Sequence, residues 1–399
     1  MTLIYDPAME QAPVDRTALD NVLAPFGSSR GLPGDAYRSQ SVLEWEIEEF
    51  FAGTWFCLGR ADDLVGESQA RAVQIGGESV LLVRNEGAVN VFSNVCRHRR
   101  HELAPVGEPF DLRFIRCPCH AWTYRLDGSL ATAPTFSGHT GFDEGDYPLL
   151  AIDAEIWEGW LFVNVNREAA PIPDHLGNLG AVLGQYAIGD LATAHGQRYE
   201  VQANWKLLIE NYSECYHCTS IHPALCEVTP VSSGADLAPT GLWCGGTMVL
   251  KEHAATMSLD GTTPLAPLPG VEGDRLRQVV YVSLFPNLLI SAHPDYVLAH
   301  RLVPLAPGRT EVECTWLFPA DTVADPAFDP SYAVDFWDIT NREDWAVCEG
   351  VQRGMASSGH RQGPLSRWEA ASYQFLTMVG RAYLGERLTP SPVVERVDQ

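Results

Sequence analysis

The chain has 399 residues, of which 46% are hydrophobic and 20% charged, an ordinary globular composition with length enough for two domains. Its formal net charge of −24 argues against a nucleic-acid partner. The N-terminus lacks the pattern of a signal peptide, and no apolar run approaches the roughly 20 residues that span a bilayer. We therefore expect a soluble protein of the cytoplasm.

The first part of the chain changes character near residue 54. Residues 1–53 are rich in Gly and Pro and contain a predicted helix over 41–52, with Ser41 as its N-cap and Glu44 three residues later. Residues 54–166 consist of short β runs punctuated by Gly, Asp and Asn, which is typical of an all-β module. We expect residues 1–53 to pack on a larger domain into which this module is inserted.

Residues 167–399 form the predicted larger domain and begin with a Pro-rich hinge. Beta-like runs occupy the region 241–320. Helical patterns precede and follow them, over 204–218, 329–354 and 366–383. The whole chain is therefore predicted to be α+β, with an antiparallel sheet flanked by helices.

Two Cys/His pairs lie in separate loops of the β module. Cys96 and His98 have the spacing C-x-H, and Cys117 and His120 the spacing C-x2-H. Two thiolates on one iron and two imidazoles on the other are the ligands of a [2Fe–2S] cluster of raised potential. A structural zinc site accepts the same four ligands and is the alternative.

A second group of ligand-type residues follows about a hundred residues later. On the predicted helix 204–218, Glu210, Glu214 and His217 would share one face. His222 lies five residues beyond His217, about 140° around an ideal helix, so both imidazoles reach one metal only if the helix ends or distorts between them. Two His and one carboxylate on one face of Fe(II) leave positions for O₂ and substrate, and the carboxylate must come from elsewhere in the chain.

The first motif resembles the Rieske domain of ring-hydroxylating oxygenase α subunits over the string from Cys96 to Gly128, which includes CRHR and CPCHAWTY. Arg100 stands where that family usually has Gly, at a turn that wants a positive φ. Cys119 stands where the family has an aromatic residue. Because His101 occupies the position of its partner in respiratory-chain Rieske proteins, we expect Cys119 to be a free thiol.

Residues 204–223 resemble the mononuclear iron motif of the same family. The resemblance implies that His217 and His222 bind iron and that Asn211 lies near it. It also implies that Glu214 bridges an iron histidine and a Rieske histidine across a subunit boundary. Inside this motif we expect Cys215 and Cys218 to be packing residues rather than a redox pair.

The third iron ligand is implied by residues 341–352, which resemble the late helix of the family. Asp344 matches its metal-binding carboxylate. Glu343 is the competitor, although adjacent helical residues point about 100° apart.

The resemblance implies the terminal oxygenase of a multicomponent system. Neither a Rossmann fingerprint nor a ferredoxin Cys run is present, so NAD(P)H electrons would arrive through a separate reductase, with or without a ferredoxin. The family forms homotrimers. Arginines crowd the first motif and form either a docking patch for an acidic electron donor or only a solvated face: Arg97, Arg99, Arg100, Arg113, Arg116 and Arg125.

The segment 285–296 resembles the branch that oxidises betaines and other quaternary ammonium compounds. A cation would fit between aromatic walls, unless these aromatics are ordinary core residues; the candidates are Trp243, Tyr281, Phe285, Tyr296, Trp316 and Trp345. We predict hydroxylation or oxidative N-demethylation of a small quaternary ammonium substrate. The alternatives are ring hydroxylation of an aromatic acid and, in another class, a Rieske electron carrier or a zinc-stabilised binding protein.

Overall fold

A computed structural model gives the fold and describes residues 9–167, 169–391 and 394. The chain divides into two compact units, one comprising Phe50–Ile172 and the other the described residues up to Glu49 and from Pro173 onward. The α+β fold with an inserted, mainly β module is confirmed. Parts of the predicted segments 1–53 and 167–399 lie outside the described residues, namely 1–8, 168, 392, 393 and 395–399.

Three short α-helices precede the inserted unit: α1 (Arg16–Val22), α2 (Asp35–Arg38) and α3 (Gln40–Glu46). The cap predicted at Ser41 is wrong. Ser39 caps α3, because it has the extended conformation of an N-cap residue and its hydroxyl accepts a hydrogen bond from the Val42 N–H. The helix predicted to run to residue 52 changes after Glu46 into a π-helix.

The inserted unit contains three small antiparallel sheets. One has the strand order β1-β10-β9, the second β4-β3-β2-β5 and the third β6-β7-β8. The elements are β1 (Phe56–Arg60), α4 (Ala61–Leu64), β2 (Gln69–Ile75), β3 (Glu78–Asn85), β4 (Ala88–Ser93), β5 (Phe110–Asp111), β6 (Ile115–Arg116), β7 (Thr123–Tyr124), β8 (Leu130–Thr132), β9 (Asp153–Trp157) and β10 (Trp160–Asn164).

The larger unit is built on a seven-stranded antiparallel sheet of order β11-β17-β16-β15-β14-β13-β12. Its strands are β11 (Leu191–Val201), β12 (Ala235–Asp236), β13 (Trp243–Val249), β14 (Gln278–Leu284), β15 (Leu288–Ala292), β16 (Val297–Ala306) and β17 (Arg309–Pro319). Strand β17 buries Val312, Cys314 and Trp316 and turns the residues between them outward, the period of two that the pleat imposes.

Helices accompany this sheet along the whole unit. They are α5 (Ile172–Leu176), α6 (Leu179–Leu183), α7 (Trp205–Tyr212), α8 (Cys218–Ile221), α9 (Pro223–Val228), α10 (Ala320–Ala324), α11 (Ser331–Met355) and α12 (Ala370–Tyr383). The helix predicted over 329–354 corresponds to α11, and the one over 366–383 corresponds to α12. Among the described helices none is both long and apolar enough to cross a membrane.

A fully buried ion pair joins three of these helices. The Glu46 carboxylate, at the end of α3, accepts hydrogen bonds from Lys206 Nζ at 2.6 Å and from Trp205 Nε1 at 2.8 Å, both in the first turn of α7. It also accepts one from the Tyr383 hydroxyl at the end of α12. Burial lowers the pKa of Lys206, and the charge of Glu46 opposes that shift.

We expect Glu46→Gln to lower the free energy of unfolding by about 3–5 kcal/mol, because it leaves a buried ammonium without its principal counter-charge. Urea unfolding followed by circular dichroism measures the change. The double variant Glu46→Gln/Lys206→Met should recover part of the loss.

The matched control is Asp35→Asn, which removes an exposed ion pair with Arg38 and should change the unfolding free energy by no more than about 1 kcal/mol. Equal losses in Glu46→Gln and Asp35→Asn would show that the buried pair has no special role.

Candidate metal centres

The first Cys/His pair lies on a turn that follows β4. The Cys96 N–H donates to the His101 carbonyl at 2.9 Å, and the Arg100 N–H donates to the Cys96 carbonyl at 3.1 Å. Arg100 has φ 59°, so it takes the left-handed conformation that the glycine of the family would take without strain. The loop keeps its turn despite the arginine.

The second pair lies on a turn of the same construction after β6. The Cys117 N–H donates to the Trp122 carbonyl at 2.8 Å, and the Ala121 N–H donates to the Cys117 carbonyl at 3.1 Å. Ala121 also has φ 59°. Each cysteine therefore occupies the same place in its turn, with its histidine two or three residues later.

The two turns bring the four predicted cluster ligands together. Cys96 and Cys117 are buried, and their side chains are in hydrogen-bond contact. The rings of His98 and His120 lie 4.6 Å apart between centroids, at 82° to one another. The Tyr124 hydroxyl lies 3.4 Å from Cys96 Sγ, where it can donate to a cluster-bound thiolate and tune its potential.

The thiols are inside and the imidazoles outside. Burial raises the pKa of Cys117, so a bound metal is needed to keep that sulfur as a thiolate. His120 is exposed, and the His98 ring stacks on Trp122 at 5.0 Å. Cys119 is exposed and free, as its sequence context predicted.

The second centre does not lie on one long helix, so the prediction of a helix over 204–218 is wrong. Helix α7 ends at Tyr212. Two residues later the Glu214 carboxylate accepts hydrogen bonds from the Tyr216 N–H and from the His217 N–H, the latter at 3.3 Å. Such local bonds compete with helix continuation. Glu214 and His217 consequently share a loop rather than a helical face with Glu210.

A proline produces the second break. His222 precedes Pro223 and has φ −115° and ψ 75°, because a residue before proline is excluded from the helical region. Pro223 then begins α9, where its missing N–H costs nothing. His217 stands just before α8 and His222 just after it, which lets both rings turn to one point.

Cys215 and Cys218 form a disulfide, so the prediction that they are only packing residues is wrong. The Cα atoms lie 5.0 Å apart, within the range that a disulfide bridges. The Cys218 sulfur also lies within 4.8 Å of the ligand nitrogens of His217 and His222. Sequence spacing alone did not distinguish a cross-linked loop from two packed thiols.

Three donor atoms converge at this centre. His217 Nε2 and His222 Nε2 lie 3.0 Å apart, and Asp344 Oδ1 on α11 lies 2.9 Å from His222 Nε2 and 3.3 Å from His217 Nε2. Metal bonds of about 2.1 Å at right angles place donor atoms about 3.0 Å apart. The three atoms therefore fit one face of an octahedral metal ion.

Carboxylates and an amide orient the three donors. His217 Nδ1 is 2.6 Å from Glu214 Oε1, and His222 Nδ1 is 2.8 Å from Glu343 Oε2, which leaves each Nε2 for the metal. Asn211 Nδ2 donates to Asp344 Oδ1 at 2.6 Å. Glu343, the competitor in the sequence, thus contacts the far side of an imidazole, while Asp344 faces both ligand nitrogens.

The charges at this centre reinforce one another. Burial alone would lower the pKa of His217, but hydrogen bonds with Asp344 and Glu214 outweigh it and raise that pKa to about 10. Burial acts upward on the pKa of Asp344, and its contacts with the two histidines overcome this and hold it at about 2. The site has the negative potential that attracts a cation.

A cavity of about 90 Å³ opens onto the same three donors. At about 10–15 Å³ of such volume for each water, it has room for roughly six to nine waters and hence for a small organic molecule. Aromatic side chains from four different segments line it, namely Tyr212, Tyr281, Trp337 and Trp368.

Of the six aromatic residues predicted to form a substrate pocket, Tyr281 alone lines this cavity. The prediction is wrong for the other five, which face other surroundings. Trp243 donates to the Leu176 carbonyl, Phe285 packs on Trp205, Tyr296 donates to the Met257 carbonyl, Trp316 is buried beside His195, and Trp345 packs near Tyr199.

Sequence reasoning missed Trp337, Trp368 and Tyr212. Trp337 had a detectable signal, since it lies seven residues before Asp344 on α11 and therefore on the same helical face. Tyr212 had a weaker one, as the residue next to Asn211. Trp368 lies before α12, and nothing in its local pattern relates it to the iron motif.

Comparison with known proteins agrees with both centres. Residues 54–143 match the family model of the Rieske [2Fe-2S] domain, and residues 188–385 match that of the ring hydroxylating alpha subunit (catalytic domain). A glycine betaine monooxygenase oxygenase subunit of Pseudomonas aeruginosa is 30% identical over 390 residues, which cover 90% of this chain and 89% of that protein. A carnitine monooxygenase oxygenase subunit of Acinetobacter baumannii is 34% identical over 56% of this chain and 59% of its own length.

Solved structures share the fold. The quaternary ammonium Rieske monooxygenase CntA in complex with L-carnitine gives a TM-score of 0.73 at 24% identity and covers 94% of this chain and 99% of its own. A naphthalene 1,2-dioxygenase from Rhodococcus bound to indole gives 0.72 at 19% identity, covering 93% and 98%. Neither the zinc-stabilised binding protein nor the pure electron carrier is favoured by these matches.

We expect Asp344→Asn to abolish retention of the mononuclear iron and leave the [2Fe–2S] cluster intact, lowering iron from about three atoms per chain to two with two acid-labile sulfides retained. Iron and sulfide analysis, with electron paramagnetic resonance of the reduced cluster, measures this.

Glu343→Gln is the matched variant on the same helix. It should weaken iron binding by about 10–100-fold without removing a ligand, because it disturbs only the orientation of the His222 ring. Loss of the iron in Glu343→Gln with retention in Asp344→Asn would reverse the assignment of the ligand.

Proposed function

The chain belongs to the Rieske-type ring-hydroxylating oxygenase α subunits, and we propose that it oxidises a small quaternary ammonium compound, by hydroxylation or by oxidative N-demethylation. As a member of that family it carries a [2Fe–2S] cluster and a mononuclear iron. When bound, the iron supplies the centre at which O₂ is reduced and the cluster supplies the electrons. The residues of this chain hold, orient and enclose the reactants.

We assign the ligands as follows. The buried thiols and adjacent imidazoles of the two turns hold the cluster, and the three convergent donors hold the iron. The cluster ligands are Cys96, His98, Cys117 and His120, and the iron ligands are His217, His222 and Asp344.

The observation that carries the substrate proposal is an aromatic cavity beside these iron donors. Tyr281 and Trp337 pack 6.4 Å apart between ring centroids, and both line the cavity that Asp344 also lines. Aromatic faces attract a quaternary ammonium group, which has no N–H to donate. The relatives named for glycine betaine and carnitine support the same class of substrate.

An aromatic acid suits the cavity less well. Its carboxylate would meet the carboxylates of Glu214 and Asp236, which line the same space. Like charges at such distances disfavour binding by an amount that grows as water is excluded. Ring hydroxylation of an aromatic acid is therefore the second candidate.

The proposal includes partners. A separate reductase, with or without a ferredoxin, delivers the electrons of NAD(P)H, and the chain acts in the cytoplasm as a homotrimer. Exposed arginines surround the exposed His120 on the inserted unit and suit an acidic electron donor; they are Arg99, Arg100, Arg113, Arg116 and Arg125.

The test of function is a single turnover of the chemically reduced protein with O₂ and a panel of N-methylated ammonium compounds, with aromatic acids run in parallel. Products are followed by mass and formaldehyde is assayed. We expect an oxidised or demethylated ammonium product, with formaldehyde in the second case. Hydroxylated aromatic acids without any ammonium product would contradict the proposal.

We further propose that Glu214 links the two centres of neighbouring subunits. Its Oε1 atom is fixed 2.6 Å from His217 Nδ1, and its side chain retains 12% exposure. A carboxylate held by an iron ligand on one side and reachable on the other can hydrogen-bond a cluster histidine of the adjacent subunit.

Glu214→Gln should slow reoxidation of the reduced cluster, in the presence of substrate and O₂, by about a hundredfold, because the path between the centres loses its fixed carboxylate. Rapid-mixing absorbance of the cluster measures this. Glu227→Gln, at an exposed position of α9, is the control. Unchanged reoxidation in a Glu214→Gln protein with full iron and cluster content would reject the bridge.

A further inference from the structure

The charges of the substrate cavity are all of one sign. Three carboxylates line it, those of Glu214, Asp236 and Asp344. No lysine or arginine is among the described residues that line it. Asp344 and Glu214 serve the iron histidines, whereas Asp236, on the short strand β12, contacts none of the three proposed iron donors at hydrogen-bond distance.

From this we infer that the site selects a quaternary ammonium ion whose remaining substituent is uncharged, such as an alcohol, over a zwitterion that carries its own carboxylate. This inference rests on the proposed function and narrows its substrate class. The cation of either compound can contact the aromatic faces. Only the zwitterion must also bring a carboxylate into a cavity whose charged walls are acidic.

The neutral polar groups of the cavity favour the same choice. The Tyr281 hydroxyl is inaccessible to solvent and has no hydrogen-bond partner among the described residues. The Ser283 hydroxyl is already engaged with Ser213 at 3.1 Å. A buried polar group without a partner is costly, so a ligand that satisfies Tyr281 gains affinity. An alcohol can accept from or donate to this phenol.

The charge of Asp344 makes the phenol a poor host for an anion. Burial is the main cause that raises the pKa of Tyr281, and the nearby charge of Asp344 adds to it. The same negative charge that opposes a phenolate opposes a ligand carboxylate at the hydroxyl. One phenol donor does not replace the bidentate arginine that carboxylate sites commonly use.

The nearest cation that a bound molecule could reach lies outside this cavity. Arg275 lines a second, more open cavity of about 640 Å³, and Thr247 lines both. Two acidic residues of its own segment, Glu272 and Asp274, line that second cavity with it. A long zwitterion spanning both cavities is therefore the specific competitor that the experiment must test.

The experiment measures dissociation constants of the cluster- and iron-loaded protein by calorimetry. The ligands are choline, its neutral carbon isostere, glycine betaine as a short zwitterion and carnitine as a longer one. We expect choline to bind at least about tenfold more tightly than each of the other three.

Variants at Asp236 test the cause. Asp236→Asn should weaken choline binding by about threefold to tenfold and leave the neutral isostere unchanged, and Asp236→Glu should retain the preference. Asp236→Lys should shift the preference toward glycine betaine. Glu252→Gln, at an exposed position that lines neither cavity, removes the same charge and should change no dissociation constant. Cluster absorbance of each variant verifies its fold.

The outcomes separate the two proposals. Glycine betaine binding as tightly as choline would overturn this inference and leave the proposed function standing. Carnitine binding tightly while glycine betaine does not would also overturn it, in favour of a carboxylate contact at Arg275. Choline binding that is insensitive to Asp236→Asn would overturn the charge argument. If none of the ammonium compounds binds and aromatic acids are hydroxylated, the proposed function itself fails.

Discussion

The buried carboxylate of Glu46 is the interaction on which the larger unit depends. It accepts hydrogen bonds from Trp205 and Lys206 at the start of α7 and from Tyr383 at the end of α12. Removing a charged partner from such a pair costs far more than never having had it, so the three helices are held as one. Because the far end of α7 carries Asn211 and leads into the iron loop, an error at Glu46 would be transmitted to the metal ligands.

Both metal centres depend on a chain that is prevented from continuing a regular element. At the cluster, Arg100 and Ala121 take positive φ values so that each turn closes on its cysteine. At the iron, Glu214 binds the backbone after α7, and Pro223 excludes His222 from a helix. Ligands that are close in sequence can meet at one ion only where the regular backbone geometry is broken.

The sequence predicted the ligand types well, because few residues bind iron and their spacing is visible without the fold. The positions of aromatic residues were predicted badly. Trp316 and Trp337 are equally hydrophobic, and only the sheet and the helix packed against it decide that the first is core and the second lines the cavity. The helix predicted over 204–218 failed for a related reason, since helix propensity does not include the competing bonds that Glu214 makes with its own backbone.

The carboxylates that orient the iron ligands also determine the charge of the centre. Asp344, Glu214 and Glu343 together carry three negative charges next to an ion of charge +2, which leaves a net charge of −1 around neutral imidazoles. A neutral substrate would leave that charge uncompensated when water is excluded, and an anion would increase it. A cation balances it, so the groups that orient the histidines also favour a cationic substrate. Asp236 adds to this preference on the opposite wall without a role in metal binding, which makes selectivity separable from ligation by mutation.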